Sequence, residues 1–236
     1  MIDTQNITDR GLQACHRVRE LTDSAVLKFS GGKDSLACWL LLRDLFPKII
    51  PIYHYWLPDL EFVETTLKLY EDYFQTPIIR APHPNFLSYL ADGCFQPPHR
   101  AKVIQAHALS GADYDEIVEW VCEDEGLEDY WVAVGIKASD SPVRRLAIER
   151  NGAWTPSKRL FYPVADMRKD DLVELIKRHN APVSEDYEVF GRSFDGLQYR
   201  YLSKIKDRYP HDYAKIIHWF PLAQAEFMRK AAYEAQ

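Results

Sequence analysis

Apolar and polar positions along the chain switch between two periods. Residues 25–29, Ala-Val-Leu-Lys-Phe, form a nearly continuous apolar run of the kind a buried parallel strand carries, and residues 35–44 place Leu36, Leu40 and Leu41 at helical spacing. Between them lies Ser30-Gly31-Gly32-Lys33-Asp34, so the pattern predicts a strand, a glycine turn and a helix. An amphipathic helix over residues 5–23, with Ile7, Leu12, Val18 and Leu21 on one side, precedes this unit. After it come a strand over 48–53, whose prolines suit a strand start, a helix running to about Phe74, and a third strand over 76–82 followed by a proline-rich loop. Ala112–Glu128 reads as a solvated helix with one buried face, Tyr130–Gly135 as a fourth strand, and Asp166 as the N-cap of an amphipathic helix through Ile176. The tail from 198 to 236 predicts two or three short helices broken at Pro210 and Pro221. Strands alternating with helices predict an α/β fold, a doubly wound parallel sheet, with residues 1–197 as a nucleotide-binding domain and 198–236 as a helical C-terminal extension that packs on it or on a partner.

The glycine turn carries the chemistry. Successive backbone N–H groups in such a turn form a concave nest, the positive end of the following helix dipole adds to it, and two glycines let a phosphate approach without a Cβ in the way. Lys33 adds a mobile positive charge, and the hydroxyls of Ser30 and Ser35 add donors. A Walker loop needs a glycine five residues before its Gly-Lys pair and a Ser or Thr after it. Those places hold Leu27 and Asp34, which excludes that loop.

Ser-Gly-Gly-Lys-Asp-Ser over residues 30–35 resembles the pyrophosphate-binding loop of the PP-loop (N-type) ATP pyrophosphatases, whose relatives include PAPS reductases, the small subunit of ATP sulfurylase and tRNA-thiolating enzymes. A second segment, Gly135-Ile136-Lys137-Ala138-Ser139-Asp140-Ser141-Pro142-Val143-Arg144, resembles the family signature Gly-x-Arg-x-x-Glu-Ser-x-x-Arg, with Lys137 for the first arginine and Asp140 for the glutamate. Glu64-Thr65 fits a third element, while the Asp-Thr-Gly that precedes it in the reductases is replaced by aromatic residues from Tyr53 to Trp56. The resemblance spans about residues 24–197. It implies ATP with Mg²⁺ as cofactors, bound by Ser30, Gly31, Gly32, Lys33, Asp34, Ser35 and Gly135, with Lys33, Asp34, Lys137 and Arg144 as the catalytic set. Two cations leaving the end of a strand beside the glycine loop can neutralise nucleotide phosphates. The implied reaction cleaves ATP to AMP and pyrophosphate and adenylylates a second substrate: a nucleobase, a DNA backbone phosphate, sulfate or a small acid. The alternative is a catalytically idle adenine-nucleotide module that works as a sensor or as a subunit of a complex. Family reductases carry their nucleophilic thiol in a C-terminal Glu-Cys-Gly-Leu-His tail, and the last cysteine here is Cys122, so PAPS reduction is not expected.

Composition narrows the picture further. The 236 residues, 47% of them hydrophobic, suffice for one substantial core. The formal net charge of -6 is uneven: residues 56–130 hold 15 acidic against 4 basic side chains, and residues 131–236 hold 14 against 18. A broad nucleic-acid grip shows a denser basic stripe, so nucleic acid enters as an acceptor substrate, with a nucleic-acid binder lacking ATP chemistry as a weaker third alternative. Cys15, Cys38, Cys94 and Cys122 lie far apart without Cys-x-x-Cys spacing, which predicts reduced, mostly buried thiols, and His83, His99 and His107 share no ligand spacing. No apolar run is long enough for a membrane span and the N-terminus lacks a signal peptide's pattern, so a cytoplasmic protein is expected, with a homodimer or a partner protein as further associations.

Overall fold

The computed structural model describes residues 10–234; the part of the first predicted helix that contains Ile7 lies outside the described residues. Six strands form one sheet in the order β3-β2-β1-β4-β6-β5. They are β1 (Ser24–Lys28), β2 (Lys48–Tyr55), β3 (Ile79–Pro82), β4 (Val132–Ala133), β5 (Trp154–Thr155) and β6 (Leu160–Phe161). The helices are α1 (Arg10–Leu21), α2 (Lys33–Leu42), α3 (Glu61–Phe74), α4 (Pro84–Ala91), α5 (Pro98–Ala106), α6 (Tyr114–Asp124), α7 (Pro142–Asn151), α8 (Lys169–Arg178), α9 (Glu185–Phe190), α10 (Tyr199–Arg208), α11 (Pro210–Trp219) and α12 (Ala225–Glu234). The α/β class predicted from the alternation is the class observed. Strand β1 pairs in parallel with β2 and β4, β4 pairs in parallel with β6, and the short β5 runs antiparallel against β6.

The described residues divide into two compact units. The first comprises the chain up to Tyr53, Tyr70–Ile79 and Cys122–Val183. Its centre is β1, flanked on both sides, whose Ala25, Val26 and Leu27 are fully buried; a strand covered on both faces tolerates no alternation, which is why its apolar run is continuous. Helix α2 is buried nearly all round and packs on α8. Its Trp39 stacks on Phe74 at 4.0 Å, and Phe29 meets Trp39 and Tyr70 edge-on at 5.0 and 5.2 Å. The second unit comprises His54–Leu69, Arg80–Val121 and the chain from Ser184 on. It is held by an aromatic cluster in which Phe62 stacks on Tyr209 at 5.0 Å and meets Phe194 edge-on at 5.4 Å.

Four local expectations are corrected. Pro51 sits inside β2, opposite Leu27, rather than at a strand start. Ile52 turns its carbonyl to the Phe29 N–H, so the neighbouring Pro51 faces the other edge, and its missing donor costs β1 no ladder bond. The proline-rich loop after β3 contains helices α4 and α5, each with a proline in its first turn, where a missing N–H is no loss. Strand β4 is two residues long, because the chain turns tightly beyond it, with the Ile136 N–H on the Val134 carbonyl. Asp166 does not cap α8: its carboxylate is bound by Arg10, and Asp171 accepts the N–H of the true N-cap, Arg168, at 2.7 Å.

Candidate functional site

The glycine turn leaves β1 at Lys28, and the Phe29 N–H still reaches the Ile52 carbonyl. Gly31 then takes φ 71°, a left-handed conformation that costs an L side chain about 1–2 kcal/mol, and Gly32 is extended as the N-cap of α2. No side chain caps α2. The N–H groups of its first turn, on Lys33, Asp34 and Ser35, have no acceptor inside the helix, so they form the rim of an open anion nest at the positive end of the dipole.

The loop is wound by its own serines. Ser35 is buried, and its hydroxyl donates to the Gly32 carbonyl at 2.9 Å while accepting the Ser30 N–H at 3.1 Å. With its hydrogen committed to Gly32, Ser35 Oγ must accept from Ser30 Oγ, 3.1 Å away. Both hydroxyls, read from the sequence as donors to phosphate, are therefore employed inside the turn, and backbone N–H groups are the donors it presents.

Lys33 and Asp34 head α2, with Lys33 Nζ 3.5 Å from Asp34 Oδ1 and about a third of each side chain exposed. Gly135, at the exit of β4, lies against the same first turn. A Cβ built there would stand 3.1 Å from the Asp34 carbonyl carbon and 3.2 Å from the Ser35 nitrogen, so a side chain here would force the first turn of α2 to shift by a few tenths of an ångström. Two residues on, Lys137 is buried, and its Nζ donates to Asp34 Oδ2 at 2.7 Å and pairs with Asp140 Oδ1 at 2.9 Å. Arg144 Nη1 holds the other Asp140 oxygen at 2.9 Å, while the Arg144 N–H is taken by Ser141, the N-cap of α7. The two segments singled out by sequence are thus joined through the pairs Asp34–Lys137–Asp140–Arg144.

Burial alone would pull the Lys137 ammonium below its usual range, but the hydrogen bonds and charges of Asp34 and Asp140 outweigh it, and the net direction is upward. Burial likewise pushes the Asp140 carboxyl up, and its bonds to Lys137 and the nearby Arg144 charge pull it lower still. Lys137 therefore stays charged and already paired at neutral pH. Asp140, quoted in the sequence only as a stand-in for a glutamate, becomes the centre of the ion network. The signal for it was its spacing, three residues from Lys137 and four from Arg144.

Asp34 Oδ1 is a buried atom without a hydrogen-bond partner. As an acceptor-only oxygen at the mouth of the nest, it suits Mg²⁺, a hard cation that takes one or two carboxylates and completes its shell with phosphate and water. Among the described residues no cluster of three or more His, Cys, Asp or Glu side chains makes a metal cage by itself. Cys15, Cys38 and Cys122 are buried free thiols, and Cys94 is half-buried. Burial pushes the Cys15 thiol up to about 12, away from nucleophilic use. No helix among the described residues is long and apolar enough to cross a membrane.

No family model matches the sequence, and no curated protein matches it significantly. Solved structures do. The U34-tRNA thiolase NcsA from Methanococcus maripaludis with its [4Fe-4S] cluster has a TM-score of 0.47 and 15% identity, covering 90% of this chain and 78% of that one. The NH3-dependent NAD synthetase from Campylobacter jejuni subsp. jejuni NCTC 11168 in complex with the nitrate ion has a TM-score of 0.45 and 14% identity, covering 98% and 97%. Likeness of this degree assigns no activity to the chain.

Proposed function

We propose that the protein is an ATP pyrophosphatase of the PP-loop superfamily, forming AMP and pyrophosphate to activate a second substrate by adenylylation. The observation that carries this reading is the uncapped first turn of α2, entered through Gly31 at φ 71° and flanked by Lys33, in a loop whose serines are used to hold the backbone. The backbone N–H groups of residues 33–35 would bind the pyrophosphate end of the nucleotide, and Lys33 would balance the charge that develops there as the bond to the α-phosphorus breaks. Asp34 Oδ1 would take part in holding Mg²⁺, which supplies charge neutralisation to the triphosphate when bound. Lys137 and Arg144 are tied to carboxylates, so their part is to fix Asp34 and Asp140 in place. A share of their charge is left for the α-phosphate, and Arg144, half-exposed, has the greater freedom to turn toward it.

The acceptor is left open among a nucleobase, a nucleic-acid phosphate, sulfate and a small acid. A second reading, an idle adenine-nucleotide module, is favoured by one observation: Lys137, the cation paired with the head of α2, is already matched by Asp34 and Asp140. Incubation with Mg²⁺ and α-labelled ATP, first alone and then with tRNA, DNA or small acids, separates the two. AMP with equimolar pyrophosphate, lowered about 10²-fold by Lys33→Ala, supports the enzyme. ATP binding without turnover under every condition supports the module, and the absence of ATP binding discards both.

A further inference from the structure

Two successive helices of the second unit carry charges of one sign each. From Pro98 to His107 the chain has no acid, and from Asp113 to Val121 it has no base. Helix α5 is nine residues long, with no side-chain cap and no buried residue. A helix this short is marginal in water unless a face of it is covered. On its inner side Ala101 faces Gly93, where a Cβ would stand 3.3 Å from the alanine methyl, and Arg100 Nη1 donates to the His218 carbonyl at 2.9 Å.

The outer side of α5 is regular. His99, Lys102, Val103, Ala106 and the C-cap His107 recur at the spacing of one helical stripe, and all are exposed, Val103 by 58%. The stripe is basic with a small apolar middle, and the short side chain of Ala106 leaves room above it for a large neighbour. Helix α6 carries the complement. Its Ile117 and Val118 are buried, which turns Glu116, Glu119 and Trp120 outward together at i, i+3 and i+4. Glu116 is fixed by accepting the Asp113 N–H at 2.7 Å, and Trp120, 50% exposed, leaves a large ring in water beside the carboxylates.

We propose that α5 and α6 form the contact between two copies of this chain, with α5 of one copy crossing α6 of the other about a twofold axis. Both stripes are exposed in the single chain; a second copy brings basic against acidic, and the symmetry makes the contact twice. Trp120 covers Val103 and Ala106, and Lys102 meets Glu119, giving an aromatic centre with a charged rim. A nucleic acid would match α5 alone and leave the acids of α6 opposed and Trp120 bare, so the charge pattern favours a second copy. The proposal does not depend on ATP binding or cleavage.

Sedimentation equilibrium of the full chain over a range of concentrations is expected to show monomer and dimer, with the dimer weakened by added salt. Lys102→Glu and Glu119→Lys each place like charges at both symmetric contacts and should weaken the dimer about tenfold, with melting curves unchanged because both positions are exposed. An equimolar mixture of the two variants should dimerise as the parent does, since each α5 then faces an α6 of opposite charge again. Trp120→Ala should weaken the dimer about thirtyfold, as loss of a central aromatic anchor does. A monomer at every concentration overturns the proposal and leaves the stripes to a different partner. So does a dimer that ignores all three substitutions, or a mixture of the charge variants that recovers nothing.

Discussion

Helix α2 and helix α3, whose first turns lie in different units, both begin with backbone N–H groups that lack intrahelical acceptors, and they meet that need in opposite ways. At α3 the carboxylate of Asp212, from α11 and 1% exposed, takes the Glu61 N–H at 2.8 Å and the Phe62 N–H at 3.0 Å, with Lys215 balancing its charge. A built-in anion fills that end. At α2 no side chain caps the turn, and the nearest carboxylate, Asp34, is turned to Lys137 instead. Every helix start attracts negative charge; the start that can bind a ligand is the one from which the protein withholds its own. The Asp34–Lys137 pair is part of that withholding, because it keeps Asp34 from folding back over the turn.

The largest effect expected from breaking this contrast is at the open end. Lys33→Ala should lower pyrophosphate release by about 10²-fold, the scale for losing one preorganised stabiliser of developing charge, with the thermal midpoint unmoved. Calorimetric ATP binding and a pyrophosphate assay, read beside a melting curve, check it. At the closed end the pattern inverts: Asp212→Ala should cost about 2 kcal/mol of stability, or about 4–8 °C in Tm for a chain of this size, while ATP affinity of the folded protein stays the same. A loss of ATP affinity there that exceeds the loss of folded protein would undo the division of roles.

Lys137→Met sharpens the same comparison on a smaller scale. It leaves Asp34 and Asp140 partly exposed rather than entombed, so the cost should be about 1 kcal/mol, and Asp34 becomes able to swing toward the vacant amides. Weaker ATP binding that recovers in the double variant with Asp34→Asn is the expected result; the same affinity in both variants argues against the withholding role.

The smallest effect is on pH. Burial lowers the pKa of His83, against the opposing charge of Asp195, and burial with the Arg43 charge lowers that of His179. Arg43 Nη2 lies 2.7 Å from His179 Nδ1, which must accept, as His83 Nδ1 accepts from Asn85. Because the folded values lie below the unfolded value of about 6.5, both chains are neutral and no penalty exists above that pH. As pH falls through it, the unfolded chain takes protons that the folded chain refuses, and stability declines until the folded values are passed. Melting temperatures from pH 8 to 5 should fall, and the slope should flatten in His179→Gln.

The site was legible in the sequence to the extent that its chemistry is local. Six consecutive residues specify the turn, and Gly135, Lys137 and Arg144 were visible through the resemblance to a known family signature. What the sequence hid is which groups are already spent. The hydroxyl of Ser35 looks like a ligand in a list of residues and is a brace in the folded loop. The charge on Lys137 looks free until Asp34 is placed 2.7 Å away across 103 residues. No local pattern links Asp212 to a turn 150 residues earlier. In the fold, the long apolar runs of β1 and β2 were readable, whereas β5 and β6, two residues each, carry too little periodicity to register. The stretch after β3, read as a proline-rich loop, holds helices opened by Pro84 and Pro98, because the same ring suits a loop and a helix start.

The knot of hydroxyls between Ser30, Ser35 and the Gly32 carbonyl has a thermodynamic consequence for whatever docks above it. The cost of ordering those six residues falls on folding, where it is met once, so an arriving anion encounters a socket already set. Association should then resemble a key entering a finished lock: fast, with little change in heat capacity, and with the same backbone trace from 30 to 35 before and after.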